Sequence, residues 1–182
     1  MQIFLTTQKK RTDEREYFFH LTVEALRRQH GDIEITVVSK PMLERYFEAE
    51  KLATDDIYIL CDDDIVPADQ NTLAEIIEAL RSHPEYSQMG LGWKPNMDSE
   101  KNNSWFKNTD GEIWEADHVG GCVAVRRGTI KDFGYSCDYR NGRGDDKIVG
   151  KIARELGYKV GLVPHLWFHH LGINHSSVWS PN

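Results

Sequence analysis

Three consecutive aspartates, Asp62, Asp63 and Asp64, follow the apolar run at residues 57–61. The run is rich in β-branched and aromatic residues, which predicts a short buried strand with the carboxylates at its C-terminal end. Adjacent carboxylates repel one another, and each is costly to place near a core without a compensating cation. A bound Mg²⁺ or Mn²⁺ would supply that charge and would also hold substrate phosphates. An acidic loop or a helix cap near Asp69 is the alternative that needs no metal.

A second pair of carboxylates, Asp145 and Asp146, opens a predicted helix after the glycine-bearing residues 142–144. Aspartates in a first turn stabilise a helix by capping it and by interacting with its dipole. A carboxylate at such a junction is also well placed to act as a general base toward a hydroxyl group. The residues alone leave both roles open.

A group of histidines near the C-terminus is the third feature: His165, His169, His170 and His175. Their spacing does not match a zinc site, and no cysteine accompanies them. One imidazole would suit a metal that aspartate and phosphate already hold. Because His169 and His170 are adjacent, only one of them can point at that metal from an extended segment. Packing of both rings against Trp167 and Trp179 is the alternative.

Alternating sequence periodicities predict the elements that position these groups. The predicted strands cover residues 3–5, 33–38, 57–61, 89–93, 112–116, 121–125 and 159–163, and the predicted helices cover residues 13–29, 43–52, 70–81 and 145–156. The polar residues 94–110 are predicted to form a long loop over an active site. Alternating strands and helices predict one α/β domain over residues 1–182, built around a mostly parallel sheet. Such sheets bind ligands at the C-terminal ends of strands, where the aspartate triplet lies.

Bulk composition narrows the class of protein. The chain has 182 residues, 40% of them hydrophobic, and a formal net charge of −7, so the whole molecule does not attract nucleic acid or anionic membranes. No apolar stretch approaches the roughly 18 residues of a membrane span, and the first residues lack a signal-peptide pattern. Cys61, Cys122 and Cys137 share no metal-type spacing. These features predict a cytoplasmic protein with reduced cysteines.

Taken in order, these segments resemble the GT-A-fold glycosyltransferases of the family 2 type over residues 2–172. Residues 59–67 resemble the Asp-x-Asp motif, residues 120–127 the glycine-led strand of the sugar pocket, residues 145–160 the Glu-Asp helix with its catalytic base, and residues 169–172 a late metal-binding histidine. The pair is Asp-Asp here, and residues 6–9 replace the usual proline-and-asparagine turn. The chain is also shorter than is usual for that family, which predicts that acceptor-binding elements are absent or come from another subunit.

The resemblance implies a GT-A-like fold and a metal-dependent transfer of sugar from a nucleotide-diphosphate sugar, with Mn²⁺ or Mg²⁺ on the diphosphate. Asp64 would bind the ion, and Asp62 would contact the donor ribose or the ion. Asp63 belongs to the same donor motif, but it points to the opposite side of an extended segment, which favours a structural role. One of His169 and His170 would join the metal shell, with His170 preferred. Manganese should then support activity better than magnesium, and activity should fall below about pH 6 as the imidazole is protonated.

The resemblance also implies roles for the remaining site residues. Thr6 and Thr7 would belong to the loop that recognises the donor base. Gly120 and Gly121 would let the backbone approach the donor sugar. Asp146 would deprotonate an acceptor hydroxyl for attack with inversion, and its neighbour Asp145 would orient the acceptor.

Two other functions use the same features. A sugar-phosphate nucleotidyltransferase would use the same metal and diphosphate chemistry, but it would carry a glycine-rich loop after the first strand, and residues 6–11 contain no glycine. The second alternative is a non-catalytic domain that binds a nucleotide sugar. The acceptor is a saccharide, a lipid-linked sugar, a protein or a hydroxymethylated DNA base, and the sequence does not choose among them.

Overall fold

The structure, a computed structural model, describes residues 1–7, 12–40, 42–93, 106–109, 111–135 and 145–171. The described strands are β1 (Gln2–Thr6), β2 (Glu34–Val38), β3 (Ile57–Asp62), β4 (Ile65–Pro67), β5 (Tyr86–Trp93), β6 (Phe106–Asn108), β7 (Trp114–Ala116), β8 (Cys122–Arg126) and β9 (Lys159–His170). The described helices are α1 (Asp13–Arg27), α2 (Met42–Leu52), α3 (Thr72–Ser82) and α4 (Asp145–Glu155). None of these helices is long and apolar enough to cross a lipid bilayer.

The strands form one sheet in the order β2-β1-β3-β8-β5-β9-β7-β6, with β4 paired to β9. Strand β1 is parallel to β2 and β3, and β5 is parallel to β9. Strand β8 runs antiparallel between β3 and β5. Five long strands therefore share one direction, which confirms the predicted α/β fold with a largely parallel sheet. We call the rim where β1, β2 and β3 end the carboxyl edge.

Helices cover both faces of the sheet, and β3 shows this most clearly. Ile59 and Cys61 belong to a core cluster that includes residues of α1 and α3. Tyr58 and Leu60 face the other way, into a second cluster that includes residues of α2 and α4. A strand buried on both faces needs apolar residues at successive positions, which explains why this segment reads as one continuous apolar run.

The last strand is much longer than predicted. Strand β9 continues to His170 instead of ending before Pro164. The proline lies where the pairing of β5 with β9 is irregular, between the Leu91–Val163 and Gly92–Trp167 pairs. A strand tolerates proline at such an irregularity because no ladder hydrogen bond is needed there. Three of the histidines predicted to lie in a tail, His165, His169 and His170, are therefore part of the sheet.

Short strands account for two further differences from the sequence-based prediction. Strand β4 follows the aspartate triplet directly and pairs antiparallel with the end of β9, placing Ile65 opposite His170 and Val66 opposite His169. Strand β6 lies within the segment predicted as one long loop, and residues 94–105 and 110 of that loop lie outside the described residues. Residues 136–144, with Cys137, and residues 172–182, with His175 and Trp179, lie outside them as well.

Gly150 fixes how closely α4 approaches the segment before β8. A Cβ atom at this position would overlap the backbone carbonyl oxygen of Asp117 and would lie 3.2 Å from the Cα atom of His118. Backbone atoms cannot swing aside as the end of a flexible side chain can. The absence of a side chain at Gly150 therefore allows the helix that carries Asp145 and Asp146 to pack directly against this segment.

Gly150→Ala should destabilise the protein by roughly 1–3 kcal/mol, the usual cost of overpacking a core. Helix propensity alone gives the opposite sign, since alanine in a helix interior is favoured over glycine by about 1 kcal/mol. Urea unfolding followed by circular dichroism measures the difference. Gly111→Ala is the matched control, because its nearest contact would be an ordinary 3.4 Å to the carbonyl oxygen of Ile113. Equal or greater stability of Gly150→Ala would contradict the close approach.

Candidate active site

Asp62 ends β3 at the carboxyl edge and is bound from two sides. Thr6 is its register partner on β1 and donates its hydroxyl to Asp62 Oδ1 at 2.8 Å. The Nη1 atom of Arg45, on α2, donates to the same oxygen at 2.9 Å. The structure thus brings together the predicted donor-binding residues Thr6 and Asp62, and it adds an arginine that the sequence analysis did not select.

Asp63 and Asp64 are buried and share a second arginine. The Nη1 atom of Arg15, on α1, lies 2.6 Å from Asp63 Oδ1 and 3.2 Å from Asp64 Oδ2. The hydroxyl of Thr7 donates to the other oxygen of Asp63. Asp63 and Thr7, both predicted to bind the donor, are therefore bonded to each other in the interior.

Asp64 lies beside His170. The backbone N–H of Leu171 donates to the Asp64 carbonyl oxygen at 2.8 Å, which fixes the end of β9 against the triplet. His170 Nδ1 is then 3.7 Å from Asp64 Oδ2, a buried oxygen that accepts no hydrogen bond from the described residues. Burial, then the charge of Asp62, raise the pKa of Asp64 to about 7, although Arg15 opposes the change. Burial lowers the pKa of His170, which keeps its imidazole neutral at pH 7.

The four predicted metal ligands do not converge. Asp62 is turned toward Arg45. His169 is exposed, with its ring 4.7 Å from that of Trp167 in an edge-on contact. Within the described residues, no group of three or more His, Cys, Asp or Glu side chains is close enough to hold a metal ion. What remains is the pair of Asp64 and His170.

That pair fits a divalent ion as a partial ligand set. A carboxylate oxygen and a neutral imidazole are both ligand types that a divalent ion accepts, and here they lie 3.7 Å apart, with Arg15 Nη1 3.2 Å from the same carboxylate oxygen. Mn²⁺ accepts both kinds of ligand, and sites of this type commonly leave other positions to water and phosphate oxygens. The residues present therefore suit an ion that arrives with, or is completed by, a phosphorylated ligand.

Asp145 and Asp146 begin α4 and are each held by a residue of α2. Arg45 Nη2 donates to Asp145 Oδ2 at 2.9 Å, so one guanidinium joins Asp145 to Asp62. The Tyr46 hydroxyl donates to Asp146 Oδ1. Burial, then the charge of Asp145, raise the pKa of Asp146 to about 7. Asp146 is partly exposed at the carboxyl edge.

The two glycines before β8 allow close approaches on either side. A Cβ atom at Gly120 would overlap the Asp146 carboxyl group. Gly121 has a φ of +76°, and a Cβ atom there would lie 2.9 Å from the ring of Phe168. Gly121 also lines a small cleft at the carboxyl edge, together with Thr6, Arg45, Tyr46 and Asp62.

Sequence reasoning missed Arg15, Arg45 and Tyr46. A signal for these residues was present in the sequence, because the predicted carboxylates carry more negative charge than the metal ion assigned to the site can offset. Arg15 and Arg45 lie in the first turns of the helices that follow β1 and β2. In a parallel sheet those turns lie at the same rim as the strand ends, where ligand sites form.

Asp64→Asn should make the free energy of unfolding less dependent on pH. Because its folded-state pKa is raised, Asp64 stabilises the fold fully below its unfolded pKa near 4, and this contribution is lost as the pH rises through about 7. Between pH 4 and pH 8 the free energy of unfolding of the variant should rise relative to that of the parent by about 4 kcal/mol, at about 1.4 kcal/mol for each unit of the pKa shift. Urea unfolding with a chelator present measures this. The exposed Asp32→Asn is the control, and parallel curves for Asp64→Asn would contradict the buried charge.

The fold is similar to that of solved glycosyltransferases. A mannosyltransferase, PcManGT from Pyrobaculum calidifontis in complex with GDP-Man and Mn²⁺, matches with a TM-score of 0.68 and 14% identity, covering 96% of this chain and 57% of its own. GalNAc-T7 with UDP, GalNAc and Mn²⁺ matches at 0.63 and 12% identity, over 93% of this chain and 43% of its own. S. aureus TarS 1-349 with UDP-GlcNAc matches with a TM-score of 0.59 and 11% identity, covering 92% of this chain and 57% of its own.

These matches cover the chain almost completely, but the chain spans less than two thirds of each of these three transferases. A chain closer in length, A197 from STIV, matches with a TM-score of 0.54 and 14% identity, over 93% of this chain and 84% of its own. No family model and no curated protein matches the sequence. At these identities the comparisons establish the fold, and the chain has the GT-A-like fold that its motif order predicted.

Proposed function

We propose that this chain is a metal-dependent glycosyltransferase of the family 2 type, which moves a sugar from a nucleotide-diphosphate sugar to an acceptor hydroxyl with inversion. The observation that carries the proposal is the pairing of two carboxyl sites at the carboxyl edge. Asp64 lies beside His170, Asp146 lies against Gly120, and Arg45 connects the two sides through Asp62 and Asp145. Structural neighbours with this fold bind GDP-Man and UDP-GlcNAc.

The donor side of the site would be built on β3 and β9. Asp64 and His170 would hold the divalent ion, which when bound offsets the negative charge of the departing nucleoside diphosphate. Asp62, at the rim with Thr6, is placed to accept a hydrogen bond from the donor ribose. Arg45 keeps that carboxylate oriented and supplies positive charge close to where a diphosphate would lie.

The acceptor side would be built on α4. Asp146 takes the proton of an acceptor hydroxyl, and the hydroxyl oxygen forms a bond to the anomeric carbon as the bond from that carbon to the diphosphate oxygen breaks. Attack from the side opposite the leaving group inverts the anomeric configuration. A pKa of about 7 suits this role, because a general base works best when its pKa lies near the working pH. Asp145, held by Arg45, would orient the acceptor.

We expect a pH dependence that differs from the one predicted from the sequence. That prediction is a loss of activity below about pH 6, as a metal-bound imidazole is protonated. Burial lowers the pKa of His170, whereas burial and the charge of Asp145 raise that of Asp146 to about 7. The Asp146 carboxyl group should therefore control the acid side of the activity profile, with a midpoint of about 7 that a bound cation shifts to lower pH.

Asp146→Asn should reduce turnover by roughly two to four orders of magnitude, because the amide cannot accept the acceptor proton. Donor affinity should stay within about twofold, since the base acts on the acceptor. The assay screens nucleotide sugars with Mn²⁺ for release of nucleoside diphosphate, with product anomers assigned by NMR and Asp32→Asn as the control. Near-parent turnover would remove Asp146 from the mechanism.

Formation of pyrophosphate from a nucleoside triphosphate and a sugar phosphate would favour a nucleotidyltransferase, and donor binding without turnover would favour a binding domain.

His170→Ala and Asp64→Ala should each weaken Mn²⁺ binding by at least about tenfold, because each removes a ligand atom. His169→Ala is the matched control, since this neighbouring ring contacts Trp167 instead. Calorimetric titration of Mn²⁺ in the presence of a nucleoside diphosphate measures the affinities, and Mg²⁺ should bind more weakly because imidazole is a poorer ligand for it. Equal losses for the two histidine variants, or none for Asp64→Ala, would rule out this ligand pair.

A further inference from the structure

Tyr46 is a buried tyrosine whose hydroxyl reaches a candidate catalytic group. Its side chain belongs to the core cluster between the sheet and helices α2 and α4. From there the hydroxyl donates a hydrogen bond to Asp146 Oδ1. Burial, then the negative charge of Asp146, raise the pKa of Tyr46 well above its ordinary value, so the hydroxyl stays protonated and remains a donor.

We propose that Tyr46 is a positioning residue that holds Oδ1 of Asp146 and thereby leaves Oδ2 to receive the acceptor proton. This inference rests on the proposed function, because it assigns the two oxygens of the proposed base different tasks. Oδ1 is occupied by the tyrosine hydroxyl. Oδ2 points at Gly120, where any Cβ atom would overlap it.

The contact is one half of a double attachment between α2 and α4. Arg45 binds Asp145, and Tyr46, the next residue, binds Asp146. The Asp146 backbone N–H also donates to Asp145 Oδ1 at 3.1 Å, so the Asp145 carboxylate is held by the backbone of its neighbour. Adjacent residues of one helix thus hold adjacent residues of the other. A carboxylate fixed at one oxygen and flanked by a glycine backbone has little freedom to rotate about its χ2 angle.

Among the described residues, four groups influence the pKa of the Asp146 carboxyl group: Asp145, Arg45, Asp62 and Tyr46. The negative charges of Asp145 and Asp62 favour its protonated form, as burial does. The charge of Arg45 and the Tyr46 hydrogen bond favour its ionised form. Tyr46 therefore does two things at once, because the same bond that orients the carboxylate also limits how far its pKa can rise.

Tyr46→Phe removes the hydroxyl and keeps the ring, so it tests the bond without emptying the core. In a carboxylate ¹³C NMR titration of the metal-free protein, the Asp146 midpoint should rise by about one pH unit, the scale of one hydrogen bond to a charged group. The acid side of the kcat/KM profile should move by the same amount, while donor affinity stays unchanged. Tyr58→Phe is the matched control, because Tyr58 is a buried tyrosine that donates to Glu50 at 2.8 Å and does not contact Asp146.

An unchanged Asp146 midpoint in folded Tyr46→Phe, or an equal change in Tyr58→Phe, overturns the positioning role. If Asp146→Asn has lost turnover in the same experiments, the proposed transfer reaction is still supported and only the positioning role of Tyr46 is overturned. A raised midpoint combined with normal turnover of Asp146→Asn supports the contact and overturns the base assignment.

Should Tyr46→Phe fail to fold, 3-fluorotyrosine at position 46 supplies a more acidic and stronger donor. The Asp146 midpoint should then fall, and no change again overturns the role.

Discussion

Within the part of the chain that the structure describes, the site contains more carboxylates than cations, and the rest of the site depends on this imbalance. Five aspartates meet at the carboxyl edge, and two guanidinium groups contact them: Arg15 binds Asp63 and Asp64, and Arg45 binds Asp62 and Asp145. Among the described residues, the side-chain hydrogen bond to the Asp146 carboxyl group comes from the neutral hydroxyl of Tyr46. Desolvated charges are costly unless they are paired, so some of these carboxyl groups take up a proton near neutral pH. The two carboxyl groups whose pKa values rise to about 7 are Asp64 and Asp146.

The topology explains why the compensating arginines come from α1 and α2. Each helix follows a strand that ends at the carboxyl edge, so its first turns lie beside the end of β3. Arg15 reaches the interior pair from one face of the sheet. Arg45 and Tyr46 reach across from the other face to the start of α4. Helix α2 thereby joins the proposed donor side to the proposed acceptor side.

The sequence predicted the parts of this site that depend on local patterns. A continuous apolar run located β3 and its aspartates, and glycines followed by acids located the start of α4. The rest depends on contacts between distant segments. Arg45 and Asp145 are separated by 100 residues. The full length of β9 depends on pairing with β4 and β5, which carries the strand past a proline that would end an isolated strand. A residue pattern within one segment does not by itself identify which distant residue the segment will contact.

Asp62 couples the two halves of the site. Its charge raises the pKa of both Asp64 and Asp146, although it bonds to neither. A cation held by Asp64 and His170 would draw the protons off both carboxyl groups, because each then ionises in a more positive field. The proposed base would thus be protonated more often in the resting protein and ionised once the donor side holds its cation.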